Sequence, residues 1–172
     1  MEVLGIDIGG SGIKGAIVNT KTGELAGERH RIPTPKPATP KNVANTIKEI
    51  VEHFNWKGKV GCCFPTPLAH GKCQSGGNLH ETWKGVQVDD LFKEKTGLEF
   101  TVINDADAAG EAEMKFGAGK GKDGLVIIIT LGTGIGSGIF FNGELVQNTE
   151  LGHVTYKSEA CLLYTSPSPR DS

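Results

Sequence analysis

The sequence predicts an α/β protein organised around two strand–glycine-turn–strand hairpins. Residues 3–8 read as a strand that breaks into Gly9, Gly10, Ser11 and Gly12 and returns as Ile13-Lys14-Gly15-Ala16-Ile17-Val18. Residues 125–130 are apolar or β-branched and break into Gly132, Thr133, Gly134, Ile135 and Gly136. Between the hairpins, helical periodicity alternates with strand-like runs. The second run is too short to cross a membrane as a helix and reads as a buried strand, and the first also reads as a strand. Glycines there allow positive φ and let backbone N–H groups approach an anion closely. Ser11, Thr133 and Ser137 add hydroxyls, and Lys14 adds a cation. Each hairpin alone is equally an ordinary glycine-rich turn; together they read as two halves of one polyphosphate clamp.

Composition narrows the class. The 172 residues are 37% hydrophobic and 22% charged, which suits one globular domain or one and a part. The 25 glycines are about twice the usual ~7%, and much of the excess sits in the hairpins. A net charge of −2 gives no global field to attract nucleic acid, so a polyanion site has to be a local patch. No signal-peptide pattern or membrane-length apolar run is present, so a cytoplasmic protein is expected. Cys62, Cys63, Cys73 and Cys161 lack zinc-site spacing and read as reduced thiols. Residues 161–172 share no pattern with the rest and resemble a translated sequencing adapter. They are set apart from the fold, and the natural protein is expected to continue beyond Ala160.

Along the chain, Glu2–Ile8, Gly12–Asn19 and residues 25–32 are expected as three antiparallel strands, with Lys21-Thr22-Gly23 as the second turn. Four prolines between Pro33 and Pro40 impose an extended loop. Thr39 before Pro40 is an N-cap signal, and Val43, Ile47, Ile50, Val51 and Phe54 mark one face of a helix over 40–54. Val60–Phe64 is a strand, with another about His70-Gly71. The polar, glycine-rich stretch 74–85 is expected to expose Asn78, His80 and Trp83 to a ligand. A helix over 89–96 stops at Gly97. A strand over 100–103 runs into Asn104-Asp105-Ala106-Asp107 and a helix that ends at Phe116. The second hairpin follows, then Gly143, a return strand and Glu150-Leu151-Gly152-His153.

Several side chains fit phosphoryl transfer to a sugar, each beside a plainer role. Asp7 would hold Mg²⁺, and Ser11 and Lys14 would reach phosphate oxygens, as such a site needs a carboxylate, bare backbone and a cation. The segment is not a Walker A loop. Asp105, at a strand-to-helix junction, is either an N-cap or a general base for a hydroxyl. Asn104 would bond sugar hydroxyls, and Asp107 would favour the first helical turn through the macrodipole. Asn78 is either a turn residue or a sugar ligand. Glu150 and His153 form either a surface pair or two groups aimed at one ligand. His30, His53, His70 and His80 read as structural or solvated. Arg29, His30, Arg31, Lys36 and Lys41 form either a solvated face or a guide for a polyanionic donor.

The segments GIDIGGSGIKGAIV, TPKPATP, GGNLHETW, NDADAAGEAE, GLVIIITLGTGIGSGIF and NTELGH, in this order over residues 2–153, resemble the ROK family of sugar kinases and most of all its polyphosphate glucokinase branch. The resemblance implies an actin-like, hexokinase-type (ribonuclease H-like) α/β fold of two domains. The first lobe would cover 1–103, the second would begin at 104–160 and be incomplete, and 161–172 would lie outside both. Asp105 would be the catalytic base on the glucose 6-hydroxyl, and Asn78, Asn104, Glu150 and His153 would hold glucose. Gly9, Gly10, Ser11, Gly12, Lys14, Thr133, Gly134, Ile135 and Gly136 would cradle donor phosphates, with Mg²⁺ at Asp7. The implied reaction takes phosphate from inorganic polyphosphate and also ATP, in a protein that is a homodimer at full length and has no nucleic-acid or membrane partner. The alternatives are an ATP-specific ROK hexokinase and a non-catalytic sugar-binding regulator. ROK repressors carry a helix-turn-helix ahead of the first hairpin, and this sequence opens on the hairpin. The zinc motif of many relatives, downstream of the Gly-His, is not seen.

Overall fold

A computed structural model describes residues 1–77, 79–131, 135–149 and 151, together with the backbone of 155–156 and 159–160. The chain divides into two compact units, Met1–Asp105 and Ala106–Ser172.

The first unit is a five-stranded sheet in the order β3-β2-β1-β4-β7. Its strands are β1 (Glu2–Ile8), β2 (Gly12–Asn19), β3 (His30–Pro33), β4 (Val60–Phe64) and β7 (Phe100–Asn104). β1 pairs antiparallel with β2 and parallel with β4, and β4 pairs parallel with β7. Alternation along β1 sends Leu4, Ile6 and Ile8 into the core and Gly5 and Asp7 to the opposite face. Helices α1 (Pro40–His53) and α2 (Val88–Thr96) cover the core face through Val43, Ile47, Ile50, Val88 and Phe92. Thr39 caps α1 by accepting from the Asn42 N–H, as its position before proline predicts, and Gly97 ends α2 at φ 76°.

Where one strand is expected about His70-Gly71, a small hairpin of β5 (Leu68–Ala69) and β6 (Lys72–Cys73) turns at those two residues, whose positive φ breaks the strand. Trp83 belongs to the core and not to an exposed ligand loop. It is fully buried, with ring centroids 4.8 Å from Phe64 and 6.3 Å from Phe92. A large aromatic gains more from burial than the polar loop around it loses, provided its N–H is paired; here it donates to Ala38 O. The third strand is also shorter than the expected 25–32. Leu25 makes only an isolated bridge to Val18, and residues 26–29 are exposed, so burial holds the chain only from His30 onward, where Ile32 lies against Ile13. His30 stacks on His53 at 3.7 Å, so both serve packing.

The second unit begins with α3 (Asp105–Phe116), whose first residue closes the first unit. It continues through β8 (Leu125–Leu131), β9 (Ile135–Phe141) and β10 (Glu144–Val146), a sheet in the order β10-β9-β8. Asn142 and Gly143, both at positive φ, make the tight β9–β10 turn. Gly110 of α3 lies against the Phe140 ring, where a Cβ would stand 2.7 Å from it. The run 125–130 is a strand but not the buried one expected: Leu125, Ile127, Ile129 and Leu131 alternate along β8 on an exposed face, because α3 and β9 leave that side uncovered among the described residues. Short strands β11 (Thr155–Tyr156) and β12 (Glu159–Ala160) pair with each other. Residues 161–172 lie outside the described residues. No helix among the described residues is long and apolar enough to cross a membrane.

Close contact between α1 and the sheet depends on Gly15, where a Cβ would stand 2.5 Å from Ile50 Cγ2 and 3.1 Å from the Phe54 ring. Gly15→Val should therefore destabilise the fold by about 1–3 kcal/mol. A urea-unfolding midpoint equal to that of the parent would contradict this packing.

Candidate functional site

Because β1, β4 and β7 are parallel, their carboxyl ends meet at one end of the first sheet, where open α/β sheets bind ligands. β1 delivers Asp7 there, β4 delivers Cys63, and β7 delivers Asn104 with Asp105 directly after it. The registers place Arg31 opposite Lys14, Lys14 opposite Asp7, Asp7 beside Cys63 and Cys63 beside Ile103. This is one row across the face that α1 and α2 leave open. A cavity of about 430 Å³ follows it, lined by Asp7, Lys14, Arg29 and Cys63 among others. Lys14 Nζ stands 3.2 Å from Asp7 Oδ2, both side chains about half exposed. Such a pair contributes only about 0–1 kcal/mol, so it can open to a stronger ligand at little cost.

The first glycine turn is built on space more than on φ. Gly9 N–H donates to Gly12 O at 3.1 Å, and none of Gly9, Gly10 and Gly12 lies at positive φ. Bare backbone at Gly12 instead admits the Arg31 guanidinium; a Cβ there would stand 2.5 Å from Arg31 Nε. Arg31 Nη2 donates to Ser11 O at 2.8 Å. Thr34, buried at the start of the proline loop, donates from Oγ1 to Gly9 O at 2.5 Å. The rest of that loop is held by Asn42 Nδ2, which donates to Pro37 O at 2.9 Å, and by Trp83 Nε1, which donates to Ala38 O at 2.8 Å. The proline loop and the glycine turn are thus hydrogen-bonded into one body. Arg31 and Thr34 were legible only as part of a basic run and a proline segment, because their partners lie 20 and 25 residues away.

Asn104 is buried at the end of β7, whereas Asp105 is exposed at the head of α3. The Cys63 thiol reports on the charges around it. Burial first, and then the carboxylates of Asp7 and Asp105, push its pKa up to about 12. Burial likewise raises Cys62. Cys62, Cys63 and Cys73 are free, in keeping with reduced thiols.

In the second unit two expected roles change. Ser137 is buried and does not present a donor to a ligand; its Oγ donates to Thr149 O and accepts from Leu151 N–H at 2.9 Å. Asp107 is buried too, and its Oδ2 accepts from Asn148 N–H at 3.1 Å. It ties α3 to the loop after β10 and is not an exposed charge on the first helical turn. Burial raises its pKa, and the Asn148 hydrogen bond opposes that rise. Gly136 packs on Ala106, where a Cβ would stand 2.9 Å from the alanine Cβ, and Ile135 opens β9 beside it. Asn78, Thr133, Gly134, Glu150 and His153 lie outside the described residues.

Among the described residues no group of three or more His, Cys, Asp and Glu side chains could hold a metal ion unaided. Asp7 nevertheless fits Mg²⁺, which commonly takes one or two carboxylates and fills its other positions with water and substrate phosphate.

Comparison with known proteins gives a consistent picture. The sequence model described as ROK family matches residues 3–163. The chain is 49% identical over 152 residues to the polyphosphate glucokinase of Mycobacterium tuberculosis, a match covering 88% of this chain and 57% of that protein. It is 46% identical to the polyphosphate glucokinase of Mycobacterium leprae, covering 88% and 47%. The chain thus spans about half the length of these curated relatives. Among solved structures, the inorganic polyphosphate/ATP-glucomannokinase of Arthrobacter sp. strain KM superposes with a TM-score of 0.91 at 44% identity, covering 96% of this chain and 68% of that one. A glucokinase of Streptomyces griseus, solved with glucose and AMPPNP, gives a TM-score of 0.78 at 30% identity over 90% and 50%. The fold is therefore the actin-like α/β fold of these kinases.

The charge around Cys63 has a chemical consequence. Thiolate is the reactive form, so Cys63 should react with iodoacetamide at neutral pH at least about tenfold more slowly than an unperturbed thiol. Asp7→Asn should speed the reaction, as read by mass spectrometry of the alkylated peptide. Fast labelling of the parent would show that neither burial nor the two carboxylates hold the thiol protonated.

Proposed function

Since this chain belongs to the ROK family, we propose that it carries the donor-binding lobe and catalytic base of a polyphosphate-dependent glucokinase. The reaction transfers a terminal phosphoryl group from inorganic polyphosphate, and also from ATP, to the 6-hydroxyl of glucose. The observation that carries the reading is the joined body of glycine turn and proline loop, set on the same sheet end as Asp105. The names of the relatives support the donor and the sugar, glucose first and mannose as a second hexose.

In this reading Asp105 accepts the proton of the 6-hydroxyl as its oxygen attacks the terminal phosphorus. The bond from that phosphorus to the bridging oxygen breaks, and the shortened phosphate chain leaves with the bonding electrons. Backbone N–H groups of the turn other than that of Gly9, which Gly12 O takes up, act with Ser11 and Lys14 to stabilise charge on the donor oxygens, which grows towards the transition state. Thr133, Gly134, Ile135 and Gly136 would be further ligands of donor phosphate. Asn104 orients the sugar, together with Asn78, Glu150 and His153. Lys14 exchanges its weak bond to Asp7 for the donor, which frees that carboxylate. Mg²⁺ held by Asp7 would supply neutralisation of phosphate charge.

The test is glucose 6-phosphate formation with polyphosphate and with ATP, using the chain extended to the length of its relatives. Turnover with both donors is expected; glucose binding with no transfer from either would favour a sugar-binding regulator. Asp105→Asn should bind glucose with near-parental affinity and lose about 10²–10⁴-fold in kcat. Near-normal turnover would remove Asp105 from the role of base.

A further inference from the structure

Arg31, a member of the basic run, is hydrogen-bonded to the glycine turn. It stands directly opposite Lys14 across the β2–β3 ladder, so two cations share a cross-strand pair. Like charges in that position are destabilising. Lys14 relieves part of this through Asp7, but among the described residues no carboxylate lies within ion-pair distance of Arg31. Arg31 is exposed, and it donates from Nη2 to a neutral acceptor, Ser11 O at 2.8 Å. That bond uses one of five N–H donors and anchors the side chain at the turn. A guanidinium has further donors with which to meet the oxygens of a phosphate. Exposed Lys36 follows on the loop that Thr34 ties to the same turn.

The geometry points to Arg31 as a donor-specificity residue: with Lys14 it forms an anion subsite for a phosphate unit of the donor beyond the one transferred. This rests on the reading of the Gly9–Gly12 turn as a donor cradle and deepens it. A long inorganic polyphosphate continues as charged units along Arg31 towards Lys36, whereas ATP ends its phosphate chain in a nucleoside. Arg31 therefore contributes more to holding the polymer than to holding the nucleotide, and it acts on donor binding without moving a proton.

The experiment uses the full-length protein with three donors: long-chain polyphosphate, tripolyphosphate and ATP. Parental turnover of polyphosphate tests the underlying function by itself, before any variant is made. Given that turnover, Arg31→Gln should raise the KM for long-chain polyphosphate roughly tenfold, the worth of one hydrogen bond to a charged group. The KM for ATP should rise by less than a third of that factor, with tripolyphosphate between the two and kcat largely retained. The dependence of polyphosphate KM on salt should become shallower, because one cation has left the contact. Arg31→Lys keeps the charge and loses the fork, so it should fall between parent and Arg31→Gln. It also serves as the deciding variant if Arg31→Gln lowers the unfolding midpoint. Equal KM changes for polyphosphate and ATP would overturn the inference and leave Arg31 as a brace for the turn. Unchanged KM for every donor would overturn it as well.

Discussion

The constraint on which the rest of the structure depends is the two-residue period of the central strand β1. Leu4, Ile6 and Ile8 are buried beneath α1 and α2, and no other phasing leaves Asp7 in reach of solvent. A slip by one residue would bury that carboxylate and expose the aliphatic row, so the core enforces the phase. Once β1 is fixed, its neighbours follow. Lys14 has to face Asp7, Arg31 has to face Lys14, and Cys63 has to lie on Asp7's other side. A row of chemically useful groups is therefore a by-product of packing on the opposite face. The helix-side requirement extends to Gly15, whose bare backbone lets α1 settle against β2.

What could be read from the sequence was whatever is specified locally. The N-cap of α1 needs only Thr39, Pro40 and the Asn42 N–H, so it was legible in three adjacent residues. Both glycine hairpins and the junction at Asp105 were legible because hydrophobic runs and turn residues alternate within a short window. Side chains whose roles come from distant partners were not. Trp83 sits in a polar, glycine-rich stretch and looks exposed until Phe64, Phe92 and Ala38 are brought to it. Asp107 looks like a helix-dipole residue until Asn148 reaches it, and Ser137 looks like a ligand donor until Thr149 and Leu151 close on it. The same reason explains the third strand, where periodicity suggested eight residues but burial holds only His30–Pro33.

The two units use glycine for different ends. In the first, Gly12 gives room to a cation, and the strained backbone usually invoked for such turns is absent. In the second, Gly110 and Gly136 let α3 lie close to β9, against Phe140 and Ala106. A glycine-rich pattern in a sequence therefore signals close approach in general. Whether the approaching group is a ligand contact, a ring or a neighbouring helix is decided by the elements that converge there.

The proline loop has a thermodynamic side that its hydrogen bonds make visible. A flexible polymer loses conformational freedom when it is captured, and a binding surface that has to order itself at the same moment adds a loss of its own. Thr34, Pro37 and Ala38 are already held by Gly9, Asn42 and Trp83 before any ligand arrives. The entropy of ordering that surface is met when the chain folds. What is left to be lost on capture belongs almost entirely to the ligand.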